Sequence, residues 1–171
     1  MPKLSQNKLM SKPTLSHIDE KGQARMVDIS AKDTTSRMAV ARACVRMRPE
    51  TLAVILTGNA PKGDVLAAAR IAGIMAAKRT HELIPLCHPL AISAASIEFA
   101  PDETTSQIEI RSTVQVMGKT GVEMEALVAA SIAALTIYDM CKAIDREMLI
   151  TEVSLVEKTG GKSGPFKRER S

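Results

Sequence analysis

From Met38 to Met47 the chain alternates between apolar and polar positions. Ala39, Ala41, Ala43, Val45 and Met47 fall on one side, Arg42 and Arg46 on the other. A period of two predicts a half-buried strand. Pro49 fits the first position of a short helix running to about Thr57, where Gly58 ends it. Asp64 then serves as N-cap for a helix from Val65 to about Leu83, with Leu66, Ala69, Ile71, Ile74 and Met75 at apolar positions. Pro85 and Pro89 stop that helix and bracket Leu86-Cys87-His88 in a stiff loop. Alternation returns in two strands, about Ala91–Ala100 and Gln107–Met117, joined by a turn over Pro101–Thr105. A long helix from about Gly121 to Ile144 and a strand from about Met148 to Glu157 complete the series.

The order is strand, two helices, two strands, helix, strand. It predicts an α+β chain of the ferredoxin-like β-α-β-β-α-β kind with an additional helix, an antiparallel sheet covered by helices on one face. Residues 1–13 are polar and end in Lys-Pro, the composition of a disordered N-terminal tail. Residues 14–158 form the single expected domain, and 159–171 a Gly/Lys-rich C-terminal segment.

Composition changes this picture in one respect. With no Trp, one Tyr (Tyr138), two Phe (Phe99, Phe166) and ten Met, the core has to be built from Ala, Leu, Ile, Val and Met. That favours close helix packing, and a core without aromatic anchors often finds further burial in a subunit interface. A net charge of +4, concentrated in the two tails, suits an anionic ligand as well as plain solubility. Nucleic acid is disfavoured, because single-strand and RNA readers need aromatic platforms that this chain lacks. Cys44, Cys87 and Cys141 are odd in number and widely spaced, so they read as reduced thiols. No segment is expected to reach the length of a membrane span, and the N-terminus has no signal-peptide core, which points to the cytoplasm.

The candidate chemistry is concentrated around the long helix. From Ala126 to Ile137 it carries almost only Ala, Leu, Ile, Val, Ser and Thr, which is the composition of a buried helix. Yet Glu123 and Glu125 stand at its start, and Asp139 and Lys142 share a face at its end. Charges on a buried helix are costly unless paired or used. Each feature also has an ordinary reading. Asp139–Lys142 is equally an exposed helix ion pair, Thr120 with Glu123 has the spacing of a capping box, and Lys62 before the Asp64 cap is equally a solvated side chain. Gly118-Lys119-Thr120 and Gly161-Lys162-Ser163 look like the end of a phosphate loop, but Thr113 and Val156 stand where its first Gly is required. What remains is flexible Gly beside a Lys and a hydroxyl, a combination that can hold a phosphate through backbone amides. Cys87 and His88 have no further Cys or His at ligand spacing, so no metal site is expected.

Taken together the blocks are familiar. Lys62–Val65, Arg70–Gly73, Leu83–Leu90, Gly118–Leu127, Ala134–Ala143 and Lys158–Gly164 resemble the cyclic pyranopterin monophosphate synthase family of molybdenum cofactor biosynthesis, over about residues 14–168. The resemblance implies a lyase that needs no metal or organic cofactor. It rearranges 3′,8-cyclo-7,8-dihydro-GTP to a pterin and closes a cyclic phosphate with loss of pyrophosphate. It also implies a ferredoxin-like fold and a homohexamer, a trimer of dimers, with each active site at a dimer interface. By this resemblance Asp139 is the acid/base, Lys142 and Lys62 are catalytic lysines, and Leu86, Cys87, His88, Met124 and Glu125 bind substrate. Arg37, Glu123 and Lys158 lie in or near the pocket.

These residue types suit that chemistry. Lys62, Lys142, Lys158, Arg37 and His88 can neutralise a triphosphate and the leaving pyrophosphate. Crowded lysines depress one another's pKa from the usual ~10.4, so one could serve as a neutral base. With almost no aromatic side chains, recognition of the guanine has to rest on polar contacts such as Glu125. Three other readings stay open at this point: another nucleotide-processing lyase or hydrolase on the same scaffold, a regulatory module that binds the nucleotide without turnover, and a nucleic-acid-binding protein.

Overall fold

The computed structural model of the chain describes residue 18 and residues 21–169; the expected N-terminal tail, 1–13, lies outside the described residues. Five strands, β1 (Thr35–Arg46), β2 (Ala94–Asp102), β3 (Gln107–Gly118), β4 (Leu149–Thr159) and β5 (Phe166–Lys167), alternate with α1 (Pro49–Leu56), α2 (Val65–Lys78), the single turn α3 (Thr80–Leu83) and α4 (Glu123–Cys141). The strands form one antiparallel sheet in the order β2-β3-β1-β4-β5, with α2 and α4 packed on one face. The class is α+β, as the element order predicted.

The core sits between that sheet face and the two helices. Ala39, Ala41, Ala43 and Val45 of β1 and Ile108, Ile110, Val114 and Val116 of β3 point inward at 0–3 % exposure. They meet Ala126, Ala129, Ala130, Ala133, Ala134 and Ile137 of α4. Each large aliphatic among them contributes roughly 1.5–3 kcal/mol by leaving water. The alanines contribute by letting backbones approach. Where α2 crosses α4, a Cβ on Gly73 would lie 2.1 Å from Ile97 Cδ1 and 2.8 Å from the Ala129 carbonyl. Ser112, wholly buried, donates its hydroxyl to the Ala126 carbonyl at 2.6 Å and ties β3 to α4. The core predicted from the shortage of aromatics is therefore the one observed.

Several expectations shift. The helix expected from Val65 to Leu83 breaks at Arg79 (φ −115°, ψ 14°). There the Thr80 hydroxyl takes up the Ala76 and Ala77 carbonyls, satisfying the end of α2 and starting α3. β1 is buried on both faces rather than one, with Val40 and Cys44 at 4 % and 5 %. It is the central strand, so β3 and β4 side chains flank it on the open face as well. β2 extends through Pro101 instead of turning there, which an edge strand tolerates because its outward N–H is not needed. β5, not anticipated, pairs its two residues with Glu157 and Lys158 of β4. The expected absence of any stretch long enough for a membrane span also fails: among the described residues α4 alone is long and apolar enough by length and composition. Here its apolar side chains pack on the sheet and on α2.

Candidate active site

Antiparallel register decides which side chains meet. Pairing of Thr35 with Gly118 and of Met38 with Thr159 brings the start of β1 beside the ends of β3 and β4. The segments that follow those ends, Lys119–Gly121 and Gly160–Ser163, wall a cavity of about 810 Å³. Five cations line it, Lys32, Arg37, Lys119, Lys158 and Lys162, against two acids, Asp33 and Glu123. Both Gly-Lys-Thr/Ser triplets singled out by the sequence therefore open on one space, although neither is part of a phosphate loop.

Two of these cations are held by neighbouring groups. Arg37 Nε donates to the Gly118 carbonyl at 2.9 Å. Its guanidinium packs against Gly161 so closely that a Cβ there would come within 2.2 Å of Nη1, and the glycine has φ +81°. Lys158 Nζ pairs with Glu123 Oε1 and donates to Ser163 Oγ, both at 2.9 Å. That pair replaces the expected capping box: α4 begins at Glu123, its N-cap position is Val122, which has no capping group, and the Glu123 carboxylate is spent on Lys158.

A second recess of about 310 Å³ adjoins the first and shares Lys32, Thr120, Gly121 and Glu123 with it. Leu86, Cys87, His88, Met124 and Glu125 line its other walls, as the sequence had grouped them. His88 Nε2 lies 2.8 Å from the Val27 carbonyl, and Lys119 Nζ donates to the Ser30 carbonyl at 2.7 Å. Two lining side chains thus strap the segment before β1 across this end. Glu125 is 4 % exposed. Burial, more than the nearby Glu123 charge, raises its carboxyl above the ordinary value, and burial likewise pushes the Cys87 thiol up. The site is therefore polarised, strongly cationic at one end and largely apolar at the other, with a buried acid there whose carboxyl lies above its ordinary value.

Lys62, Asp139 and Lys142 meet one another but line neither space. Asp139 Oδ2 accepts from Lys62 Nζ at 2.8 Å and Oδ1 from Lys142 Nζ at 2.7 Å; Lys62 also reaches the Asp139 carbonyl at 3.1 Å. The three side chains are about half exposed. The hydrogen bond from Lys142, and then that from Lys62, hold the Asp139 carboxyl at about 2. Two expectations change here. The charged pair at the end of α4 is exposed, and the carboxylate buried on this helix is Glu125. Nor is Lys142 depressed by a neighbouring lysine: the hydrogen bond to the Asp139 carboxylate raises it. Asp139 and Glu125 are fourteen positions apart on one helix, ~21 Å along its axis at ~1.5 Å per residue.

Sequence reasoning omitted Lys32, Asp33 and Thr35 from the site. They sit in a polar run without periodicity, and only β1 pairing brings them to the cavity. Lys119 and Lys162 carried a signal in their Gly-Lys triplets. Among the described residues no cluster of His, Cys, Asp and Glu could hold a metal ion.

A family model described as the MoaC family matches residues 26–161. Similar proteins named cyclic pyranopterin monophosphate synthase include that of Roseiflexus sp. (strain RS-1), 64 % identical over 152 residues, which cover 89 % of this chain and 96 % of the relative. The protein of that name from Pelotomaculum thermopropionicum is 60 % identical over 155 residues, 91 % of each chain. The one from Chloroflexus aurantiacus is 61 % identical over 156 residues, 91 % and 96 % of the two chains.

Proposed function

The chain belongs to the MoaC family, and from that premise we propose that it is a lyase of molybdenum cofactor biosynthesis. In this reading it converts 3′,8-cyclo-7,8-dihydro-GTP to cyclic pyranopterin monophosphate and releases pyrophosphate. The observation that carries the proposal is the polarised double cavity. A substrate with a triphosphate at one end and a fused heterocycle at the other needs cations at one end and a recess of apolar walls with a few polar contacts at the other.

The geometry supports a division of labour. Lys32, Arg37, Lys119, Lys158 and Lys162 receive the phosphates, and fixed cations of this kind stabilise charge that builds on departing pyrophosphate. Glu125, Cys87 and His88 face the ring, where the buried Glu125 carboxyl supplies a polar contact. Lys62 and Lys142 act as charged groups around Asp139, which is ionised at neutral pH and so accepts protons rather than supplying them.

Separation of the two constellations along α4 supports a site shared between subunits, in which one chain's lysine–aspartate group serves another chain's cavity. The outer helix surface offers apolar area for such a contact, with Ile71 61 %, Met75 49 % and Leu135 52 % exposed. A homohexamer built as a trimer of dimers is the assembly we propose, and the cytoplasm, where three free thiols persist, is the compartment.

The test is to incubate the purified protein with 3′,8-cyclo-7,8-dihydro-GTP and follow pyrophosphate together with the oxidised, fluorescent pterin. Both signals should appear, and both should vanish in Lys62→Ala. A folded protein that binds the nucleotide and yields neither signal is a binding module, and the proposal fails.

A further inference from the structure

Asp145 is a buried carboxylate that the reaction does not use. It is 2 % exposed, and an isolated charge so buried would be costly. Donors surround it: Arg48 N–H at 2.9 Å and Thr51 Oγ1 at 3.1 Å to Oδ2, and Glu147 N–H at 3.1 Å and Arg48 Nε at 3.5 Å to Oδ1. Those bonds outweigh burial and keep the carboxyl below its ordinary value.

What it joins is more informative than how it is satisfied. Arg48 is the N-cap of α1 and has no acceptor with which to cap its own helix. Asp145 supplies the acceptor from 97 residues away, and its negative charge lies at the positive end of α1. The Arg48 guanidinium returns the contact by donating to the Ile144 carbonyl. On the other side, the turn Lys142–Asp145 is closed onto α4 by Lys142 N–H to the Tyr138 carbonyl and Asp145 N–H to the Cys141 carbonyl, at 2.8 and 3.0 Å. The end of α4, which carries Asp139 and Lys142, is thereby fixed to α1. From the other end of α1 the chain runs through Pro61-Lys62-Gly63 into α2. Lys62 reaches Asp139 only across this junction.

We propose that Asp145 is a positioning residue for the Lys62–Asp139–Lys142 group: by capping α1 from the far end of α4, it sets the approach of Lys62 to Asp139. This rests on the reading of that group as catalytic. Without the cap, α1 and the exposed loop behind it are free to shift. A misplacement of about 1 Å at a reacting group can cost on the order of a hundredfold in rate.

The experiment is Asp145→Asn in the full chain, with Thr51→Val as a milder companion that removes one bond and keeps the Arg48 contacts. Two readouts separate positioning from plain structural support. One is the ¹³C titration of the Asp139 carboxyl in the ligand-free protein, where the midpoint should rise from about 2 toward the unperturbed ~3.9 as Lys62 draws away. The other is turnover of the cyclised nucleotide, where kcat should fall about ten- to a hundredfold with KM little changed. Thr51→Val should move both in the same direction by less, and it carries the test if the Asn variant does not fold. A lower melting temperature with an unmoved Asp139 midpoint and unchanged kcat in the folded variants overturns the proposal. A native chain with no turnover, but with the midpoint still shifting in the variants, supports the positioning and refutes the catalytic reading instead.

Discussion

Co-assembly of two inactive variants tests the shared site directly. Lys62→Ala removes a cation from the lysine–aspartate group and leaves the double cavity intact; Glu123→Gln breaks the Lys158 pair in the cavity and leaves that group intact. Within one chain the two constellations lie ~21 Å apart along α4, far beyond side-chain reach. If each functional site takes the lysine–aspartate group from one subunit and the cavity from its two-fold partner, a mixed dimer holds one site with both defects and one with neither. Random pairing makes half the dimers mixed, so about a quarter of native activity should return. The assay is pyrophosphate release from doubly tagged, co-expressed and doubly purified oligomers, beside each variant alone. Purified mixed dimers, free of either homodimer, should reach about half. Activity no higher than that of the single variants would refute the two-chain site and require a rearrangement within one chain to bring the constellations together.

Three further outcomes follow from the packing and the electrostatics. Gly73→Ala places a methyl 2.1 Å from Ile97 Cδ1 and 2.8 Å from a backbone carbonyl, so overpacking of about 1–3 kcal/mol should lower the melting temperature by several degrees in calorimetry. Gly161→Ala meets both a left-handed backbone and the Arg37 guanidinium; the melting temperature should fall by a few degrees, and pyrophosphate affinity of the still-folded variant, measured by titration calorimetry, should fall about tenfold. Burial raises the Glu125 carboxyl, so the folded chain holds that proton more tightly than the unfolded chain and loses stability as pH climbs from ~4.3 through the raised value. Relative to the native chain, Glu125→Gln should therefore gain melting temperature between pH 4 and pH 8, and an equal difference at both pH values would remove burial as the cause.

Much of this protein was readable from local signals. Alternation in β1 and β3, the Asp64 cap and the apolar run of α4 depend on neighbours a few residues away, and the Asp64 carboxylate does accept from Ala67 N–H at 2.9 Å. Element boundaries were less secure wherever a side chain competes for a backbone group, as Thr80 does at the break between α2 and α3. Glu123 shows the same limit inside the site. Its spacing from Thr120 fits a capping box, and only the pairing of β1 with β4 brings Lys158 close enough to claim the carboxylate instead.

The sequence by itself determined the order of the main elements, though not the break that makes α3 nor the short β5, together with the alanine-built core and the blocks of residues that mark the family, because periodicity, caps and composition are properties of short stretches. Tertiary structure decided what those blocks face. Antiparallel register gathered two Gly-Lys triplets, Arg37 and an unremarked Lys32 around one cavity. The length of α4 kept Asp139 at its end, and Lys142 just beyond it, away from that cavity. The lysine pKa turned on the same distinction: residue types alone place two cations together, whereas the fold sets a carboxylate between them and reverses the direction of the shift at Lys142.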